Sequence, residues 1–500
     1  MTQPADQQWA EPFVAIQVGA VSFVDEGVGP VLDTMQDRAA VNALFLATPT
    51  WTRGTGGRQV PGHPLPDHGV QEYDEDWVGG NYATVHPQFY GRTALGAAGR
   101  APEHPDWDIF EAVIPEARRR GMQSYAWIEE SSYADELRTY PNFLSCLEVD
   151  VWDKPARRPC FNNPDYRNWH LAIVEDYVTS YAIDGLAWCS ERPGPLTMLM
   201  QGPAAEDLGL VSCFCRHCKR IAAERDIDWR RAQEGYRRLS AWNTAVASGE
   251  RPADGAFVTF WRLLLQYPEI LSWQALWTDS QHQMYRDIYG TVKARRPEVE
   301  VGWHVYHNIS FSPFYRADQD YAEMSRYSDF LKVVTYDRCA GVRLHSWVAN
   351  ICSSLFADAT PAEVYPLLSR LLGLEETAYD DLPATGFSAD YVRRETARAV
   401  AGVAGRTKIY PGIDIDIPAG PGALPRRAPR RPRDVTANAS GIATRGRPET
   451  NIAATSADTV RDATLAALAG GADGVVLSRK YSEMRLGNLA GSRAALRSLR

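Results

Sequence analysis

The sequence predicts an α/β protein: a single (β/α)8 TIM barrel with long βα loops and a cysteine-bearing insertion after the fourth strand. Three observations predict it. Eight short apolar stretches alternate with segments of helical periodicity, from Phe13 to the end of the sequence. Acidic residues recur where those strands should end. No Gly-rich phosphate fingerprint follows the first strand, which disfavours an open doubly wound sheet. Length alone would suggest roughly three domains, but barrels with long loops break that rule. The organisation expected is a tail over 1–12 and one barrel over 13–500. The barrel carries an insertion at about 197–296 and a Pro/Arg-rich loop at about 418–456.

The elements follow in order. Phe13-Val-Ala-Ile-Gln-Val-Gly-Ala-Val is the first strand, with a helix near 31–40, and Ala40-Val-Asn-Ala-Leu-Phe-Leu-Ala is the second. The exit of the second, 48 to about 105, is rich in Gly, Pro, His and aromatics. Its length and its Trp51, Tyr73, Trp77, Tyr82, Phe89 and Tyr90 point to an ordered functional loop. Over 106–120, Ile109, Phe110, Val113, Ile114 and Ala117 recur at helical spacing, and Gly121 stops the helix. Met122-Gln-Ser-Tyr-Ala-Trp-Ile-Glu-Glu is the third strand, and Asn163-Pro-Asp opens a helix to about 180. The fourth strand starts at Ile183 and precedes an excursion over 197–296 with a Trp-rich helical segment at 260–292. Strands five and six are expected at 298–307 and 329–337, then helices at 361–372 and 388–402. Strand seven covers 408–416. A helix at 457–470, strand eight from Gly474 to Tyr481 and one last helix complete the pattern.

Composition bounds the function. With 45% hydrophobic and 23% charged residues the chain can bury a large core. A net charge of −9, from 53 basic and 62 acidic residues, argues against general nucleic-acid affinity. Fifteen Trp and 23 Tyr supply flat apolar faces. The opening Met-Thr-Gln-Pro-Ala-Asp-Gln-Gln lacks the basic and apolar regions of a leader, and no run approaches the ~20 apolar residues of a membrane span. A cytoplasmic protein with no membrane partner is expected, its eight cysteines reduced or metal-bound.

The stretch Ile183-Asp-Gly-Leu-Ala-Trp-Cys-Ser-Glu-Arg-Pro-Gly-Pro holds the first candidate catalytic residue. Its small and apolar start suits a strand buried on both faces, and Arg-Pro-Gly-Pro must turn. Glu191 therefore falls at a C-terminal strand tip, where barrels place their chemistry. Glu129 and Glu130, Asp337, Asp414 and Asp416, and Glu483 fall at or just past other tips. Carboxylates gathered at one rim push their pKa values apart, which makes an acid and a base from one residue type. Glycoside hydrolysis uses such a pair, with Glu191 as acid/base and Asp414 or Asp416 as nucleophile or base. Asp414 is preferred because it lies nearer the strand body.

Candidates for substrate contact are Glu129, Asp337, His304 and His307, with Trp127 and Trp188 as stacking faces. Arg479, Lys480 and Tyr481 at strand eight suit hydroxyls or a carboxylate. Two histidines alone are a weak metal signal. Asp184 and Asp473, each before a Gly at a strand entrance, read as turn residues at the opposite end of the barrel. The basic stretch 426–433 is either a mobile solvated loop or an attractor for an anionic sugar. No G-x-S-x-G, P-loop or H-E-x-x-H is present, and no organic cofactor is expected. The alternatives are a carbohydrate-binding barrel without hydrolysis, and an isomerase or lyase using Lys480 or the histidines.

Cys213-Phe-Cys-Arg-His-Cys218 is the sharpest local motif. Three sulfurs within six residues suit a tetrahedral zinc site completed from elsewhere, by Cys160, or failing that His217 or Cys146. Cys160-Phe-Asn-Asn-Pro-Asp-Tyr-Arg167, a helix, a strand ending in Glu191 and then Cys213-x-Cys-x-x-Cys218 together resemble the family 42 glycoside hydrolases, the β-galactosidase-like barrels. The match covers about 160–225. The chain also resembles hypothetical glycosyl-hydrolase-like barrels related to that family. The resemblance implies structural zinc on Cys160, Cys213, Cys215 and Cys218, Glu191 as acid/base, a carbohydrate substrate, a retaining mechanism and a homo-oligomer. Two positions depart from it: Ser190 stands where that family has Asn, and strand seven offers Asp414 and Asp416 in place of a nucleophilic Glu.

Overall fold

A computed structural model describes residues 12–51, 56–57, 68, 77–130, 142–201, 209–417 and 453–499. The expected N-terminal tail, Tyr73, the basic stretch 426–433 and most of the Pro/Arg-rich loop lie outside the described residues. Among the described residues nine strands form one all-parallel sheet, curled as in a TIM-like barrel. They are β1 (Phe13–Gly19), β2 (Ala43–Ala47), β3 (Gln123–Glu129), β6 (Gly185–Cys189), β7 (Glu300–Val305), β8 (Phe330–Val333), β9 (Lys408–Ile409), β10 (Gly412–Asp414) and β11 (Gly474–Ser478). Their order is β10-β11-β1-β2-β3-β6-β7-β8-β9, and a further parallel bridge joins Val334, just past β8, to Gly412 of β10. A separate antiparallel hairpin, β4 (Leu147–Val149) with β5 (Pro155–Pro159), was not anticipated.

Several boundaries differ from the sequence reading for local reasons. The first strand ends at Gly19, earlier than expected, because a helix, Ala20–Glu26, begins at once; Gly27, at φ +86°, separates it from Val28–Ala39. The segment read as one helix over 260–292 is two, Ala256–Gln266 and Glu269–Arg295, broken at Pro268. Asp337 does not end a strand: β8 stops at Val333 and Asp337 opens the helix Asp337–Ile351. Strand seven is split into β9 and β10 around Pro411, which has no N–H to offer a ladder.

Side chains alternate strictly along each strand. Val14, Ile16, Leu44, Leu46, Ile128, Leu186, Trp188, Trp303, Leu331 and Leu477 join the core between sheet and helices. The opposite parity fills the barrel with Ala15, Phe45, Tyr125, Trp127, Ala187, Phe330, Tyr410 and Val476. Its lower part is an aromatic plug in which Phe13 stacks on Tyr410 at 4.2 Å, and Phe45, Tyr125 and Phe330 meet at 5.1–5.8 Å. Space for those rings comes from glycine. A Cβ on Gly302 would fall 2.2 Å from the Phe330 ring, and one on Gly185 2.2 Å from the Tyr125 ring.

The bottom of the barrel is tied by polar residues that precede one strand and accept from the backbone of its neighbour. Asn42 accepts from Val14 N–H at 2.8 Å, Asp184 from Ser124 N–H at 2.8 Å, Asp329 from Val301 N–H at 2.7 Å and Asp473 from Ile409 N–H at 2.9 Å. Asp184 and Asp473 are thus structural, and the opposite end is left for chemistry.

Candidate active site

Register decides which residues meet. The pairing places Trp127, Ala187, Gly302 and Phe330 in one apolar row across β3, β6, β7 and β8. Two residues further along, the same strands present Glu129, Cys189, His304 and Lys332 in one polar row. Four strands thus change from apolar to ionisable at the same height, near the C-terminal end of the barrel. Gln17 of β1 and Ser478 of β11 extend this layer, Ser478 donating to Gln17 Oε1 at 2.8 Å.

Glu191 stands two residues beyond Cys189 and keeps 18% of its side chain exposed. Its Oε1 lies 2.7 Å from Nε2 of buried His304. On the other side of that ring, Lys332 Nζ donates to Nδ1 at 3.2 Å. Lys332 also donates to Gln17 Oε1 at 2.8 Å and to the Tyr336 hydroxyl at 2.7 Å, so its three N–H groups have three acceptors. Burial, with the Lys332 charge adding to it, lowers His304 to about 4. The ring is therefore neutral near pH 7; Nδ1 accepts from Lys332, which leaves the hydrogen on Nε2 to donate to Glu191. Burial lowers Lys332 itself to about 7, against the opposing charges of Glu191 and Glu129.

The backbone that carries Glu191 is fixed by its neighbours. Glu130 Oε2 accepts from Ser190 Oγ at 2.5 Å, and its Oε1 accepts from Tyr166 OH at 2.8 Å and from Arg192 at 2.5 Å. The fully buried Arg192 also donates to Glu148 at 2.8 Å and to the Pro159 carbonyl at 2.7 Å. Glu148 is in turn paired with buried Arg158 at 3.2 Å. Residues 190 and 192 are thus clamped in a buried charge network while Glu191, between them, stays partly exposed. Of the tandem acids, Glu130 is the structural member and Glu129 the one in the polar row.

The other candidates are distributed around this centre. Asp414 ends β10, 2% exposed, its carboxylate accepting from Cys339 N–H at 2.9 Å and Ile417 N–H at 3.2 Å; burial raises its pKa. Asp337 is likewise buried, pairs with Arg338 at 2.9 Å, and is raised to about 7 by burial despite that arginine. Asp416, at φ +55°, points to the last helix, Leu486–Ser498, accepting from Arg485 N–H at 2.8 Å and Asn488 at 2.9 Å. In a continuous strand Asp414 and Asp416 would face the same way; the left-handed turn at Asp416 ends that alternation.

His307 is buried, bonded to Tyr391 OH at 3.1 Å and to Arg343 at 2.9 Å. Arg479 forms an ion pair with Glu483 at 2.6 Å, Lys480 donates to the Gly57 carbonyl at 2.6 Å, and buried Tyr481 bonds Glu26 at 3.0 Å. Trp127 faces the barrel interior, 4% exposed. Trp188 is a correction. It points outward into the core with no exposed surface, edge-on to Tyr285 at 5.3 Å and to Trp303 at 6.5 Å, so no ligand face is left.

Sequence reading missed Gln17, Lys332, Tyr336 and Arg343. A lone polar residue inside an apolar parallel strand, as in Phe-Leu-Lys-Val-Val, was the available signal for Lys332.

Cys160, Cys213, Cys215 and Cys218 converge, their sulfurs all within 4.8 Å of one another and buried. Cys160 Sγ is 3.6 Å from Cys218 Sγ and 3.5 Å from Cys215 Sγ. Tetrahedral ligation with bonds of ~2.3 Å sets sulfurs about 3.8 Å apart, so the set fits a metal ion. Cys215 N–H points at Cys213 Sγ and Asn162 Nδ2–H at Cys218 Sγ, both at 3.4 Å, as in the outer shell of a thiolate site. Burial holds the Cys213 thiol well above its ordinary range, while contacts with the other three sulfurs lower that of Cys215. Cys146 and His217, the other expected fourth ligands, are not in the group.

No family model and no curated protein matches the chain. Among solved structures, the β-galactosidase of the haloarchaeon Halorubrum lacusprofundi is similar, with a TM-score of 0.50 and 13% identity over 97% of this chain and 57% of that one. An α-L-fucosidase isoenzyme 2 from Paenibacillus thiaminolyticus has a TM-score of 0.46 and 12% identity, over 98% and 49%. The chain spans about half the length of these two proteins. A chitinase from Bacteroides thetaiotaomicron has a TM-score of 0.41 and 11% identity, over 98% and 99%. At such identity the likeness to the β-galactosidase is one of fold.

Proposed function

We propose that the protein is a glycoside hydrolase in which Glu191 is the general acid/base. The observation that carries this reading is Glu191 itself: a partly exposed carboxylate at a strand tip, clamped through both chain neighbours and bonded to a neutral histidine whose far side is held by Lys332. A proton donor to a leaving oxygen needs that combination of access and fixed direction. The shared fold with a β-galactosidase supports a carbohydrate substrate. Counting β9 and β10 as one strand interrupted at Pro411 gives the eight of a (β/α)8 barrel.

Asp414 is the partner carboxylate, nucleophile or base. Two backbone amides orient it, whereas Asp416 serves the last helix. The resemblance favours retention of configuration. The four cysteines hold one structural zinc ion, which fastens the loop at Cys160 to the insertion helix Arg216–Glu224 and supplies no chemistry at Glu191. The residues named for an isomerase or lyase are engaged in the fold: Lys480 donates to the Gly57 carbonyl, and His304 and His307 are buried and hydrogen-bonded to Glu191 and Tyr391.

Hydrolysis of a panel of aryl glycosides by wild type and Glu191→Gln tests the proposal. Loss of about 10²–10⁴-fold in the variant is expected. Turnover that survives the substitution would overturn it.

A further inference from the structure

Arg343 lies on the helix Asp337–Ile351, half-buried, and reaches His307 just past β7. One of its five N–H groups donates to His307 Nδ1 at 2.9 Å, and its guanidinium sits 5.8 Å from the centre of the Tyr336 ring. Its other four N–H groups have no protein acceptor among the described residues, and no carboxylate there lies within ion-pair distance of it.

Its one partner carries no charge. His307 is buried, and burial together with the Arg343 charge holds its pKa well below the ordinary range. His307 Nε2–H donates to Tyr391 OH at 3.1 Å, which donates to Ser310 Oγ at 2.9 Å, and Ser310 donates to Glu395 at 3.2 Å. Glu395 is already neutralised by Arg316 at 3.0 Å and Arg398 at 2.6 Å. A chain of neutral groups therefore aims the guanidinium without satisfying its charge.

The ionisable groups around Arg343 are Cys339 and Tyr336, on its own helix and the segment leading into it and both held neutral by burial, Glu191 beyond β6 and Tyr306 beyond β7; against its own burial, these neighbours raise the Arg343 pKa. It acts in turn on Asp414 of β10. Neither carboxylate is its hydrogen-bond partner. Glu191 Oε1 accepts from His304, and both Asp414 oxygens accept from backbone amides. A cation enclosed in a site, oriented in advance and left with its donor fork open, is what recognition of a planar anion requires.

We infer that Arg343 anchors a subsite for a carboxylate on the substrate, so that the sugar is a uronate rather than a neutral hexose. This rests on the carbohydrate reading of the same opening. A site built around an unpaired donor fork bonds the acid and discriminates against the analogue lacking it, because that analogue leaves the donors unpaired.

The test is titration calorimetry of the wild-type protein with D-galacturonate and D-glucuronate against D-galactose and D-glucose. At least one uronate binds tenfold or more tightly than its parent sugar, and the difference shrinks with added salt. Arg343→Met abolishes that preference and Arg343→Lys keeps part of it. Equal affinity for each acid and its parent in the wild type overturns the inference whether or not the variants fold. A preference that survives Arg343→Met overturns it as well. A uronate preference alongside turnover that is indifferent to Glu191→Gln leaves this subsite standing and removes the hydrolytic reading. Glu191-dependent turnover of neutral glycosides with no uronate preference does the reverse.

Discussion

His304 Nε2 lies 2.7 Å from Glu191 Oε1, and this contact joins the exposed carboxylate to a hydrogen-bond chain running back through Lys332 to Gln17 on the first strand. Because Lys332 takes Nδ1, the imidazole donates to Glu191 rather than accepting from it. His304→Ala is expected to lower kcat/KM about 10–100-fold by releasing the carboxylate from its orientation, with the pH profile shifted as well as the rate. An unchanged profile would mark His304 as packing only.

Lys332 gives the fold a definite pH signature. Its folded pKa of about 7 lies below the ordinary 10.5, so the unfolded chain binds the proton more tightly. The resulting destabilisation is fully present below about pH 7 and fades as pH rises through about 10.5. Lys332→Met removes it, and also removes a donor from Gln17, Tyr336 and His304 at a cost that does not vary over this range. The stability of Lys332→Met relative to wild type is therefore greatest near pH 6 and declines toward pH 10. Thermal unfolding of both proteins at stepped pH reads the slope; a difference that grows with pH would contradict the assignment.

Arg192 is fully buried between Glu130 and Glu148. Replacing it with Met leaves two buried carboxylates without their shared cation, a change that typically costs about 3–5 kcal/mol. Chemical denaturation should show a loss of that order, with activity falling further because Ser190 and Arg192 hold Glu191 between them.

The cysteine cluster predicts one tightly bound zinc per chain by elemental analysis. Cys218→Ser, or exhaustive chelation, should lower the melting temperature and release the insertion to proteolysis, since metal binding contributes folding free energy. Stability indifferent to chelator would exclude a structural metal.

Gly302 faces the Phe330 ring with no room for a methyl group. Gly302→Ala should destabilise by about 1–3 kcal/mol through overpacking of the aromatic plug, measurable by the same denaturation.

Much of this architecture could be read from pattern. Apolar runs with Gly and Pro punctuation located the strands. Glu191 stood out because carboxylates recur at the expected strand tips, and the cysteines because three sulfurs fall within six residues. What could not be read depends on register. Lys332 sits in an apolar strand whose neighbours say only that the segment is buried; that it shares a layer with Glu129, Cys189 and His304 follows from pairing across four strands. Arg343 lies on a helix, Asp337–Ile351, that the sequence reading did not assign, and its bond to His307 follows only from the fold. Trp188 shows the opposite failure: its strand was found, but one position of parity turns a stacking candidate into core.

The role of Glu191 is tested most directly by the leaving group. With Glu191→Gln, glycosides of 2,4-dinitrophenol, which leaves without a proton, should be cleaved at close to the wild-type rate in the step that breaks the bond, while alkyl glycosides lose about 10²–10⁴-fold. Equal losses for both, or none for either, would contradict a proton-donating Glu191.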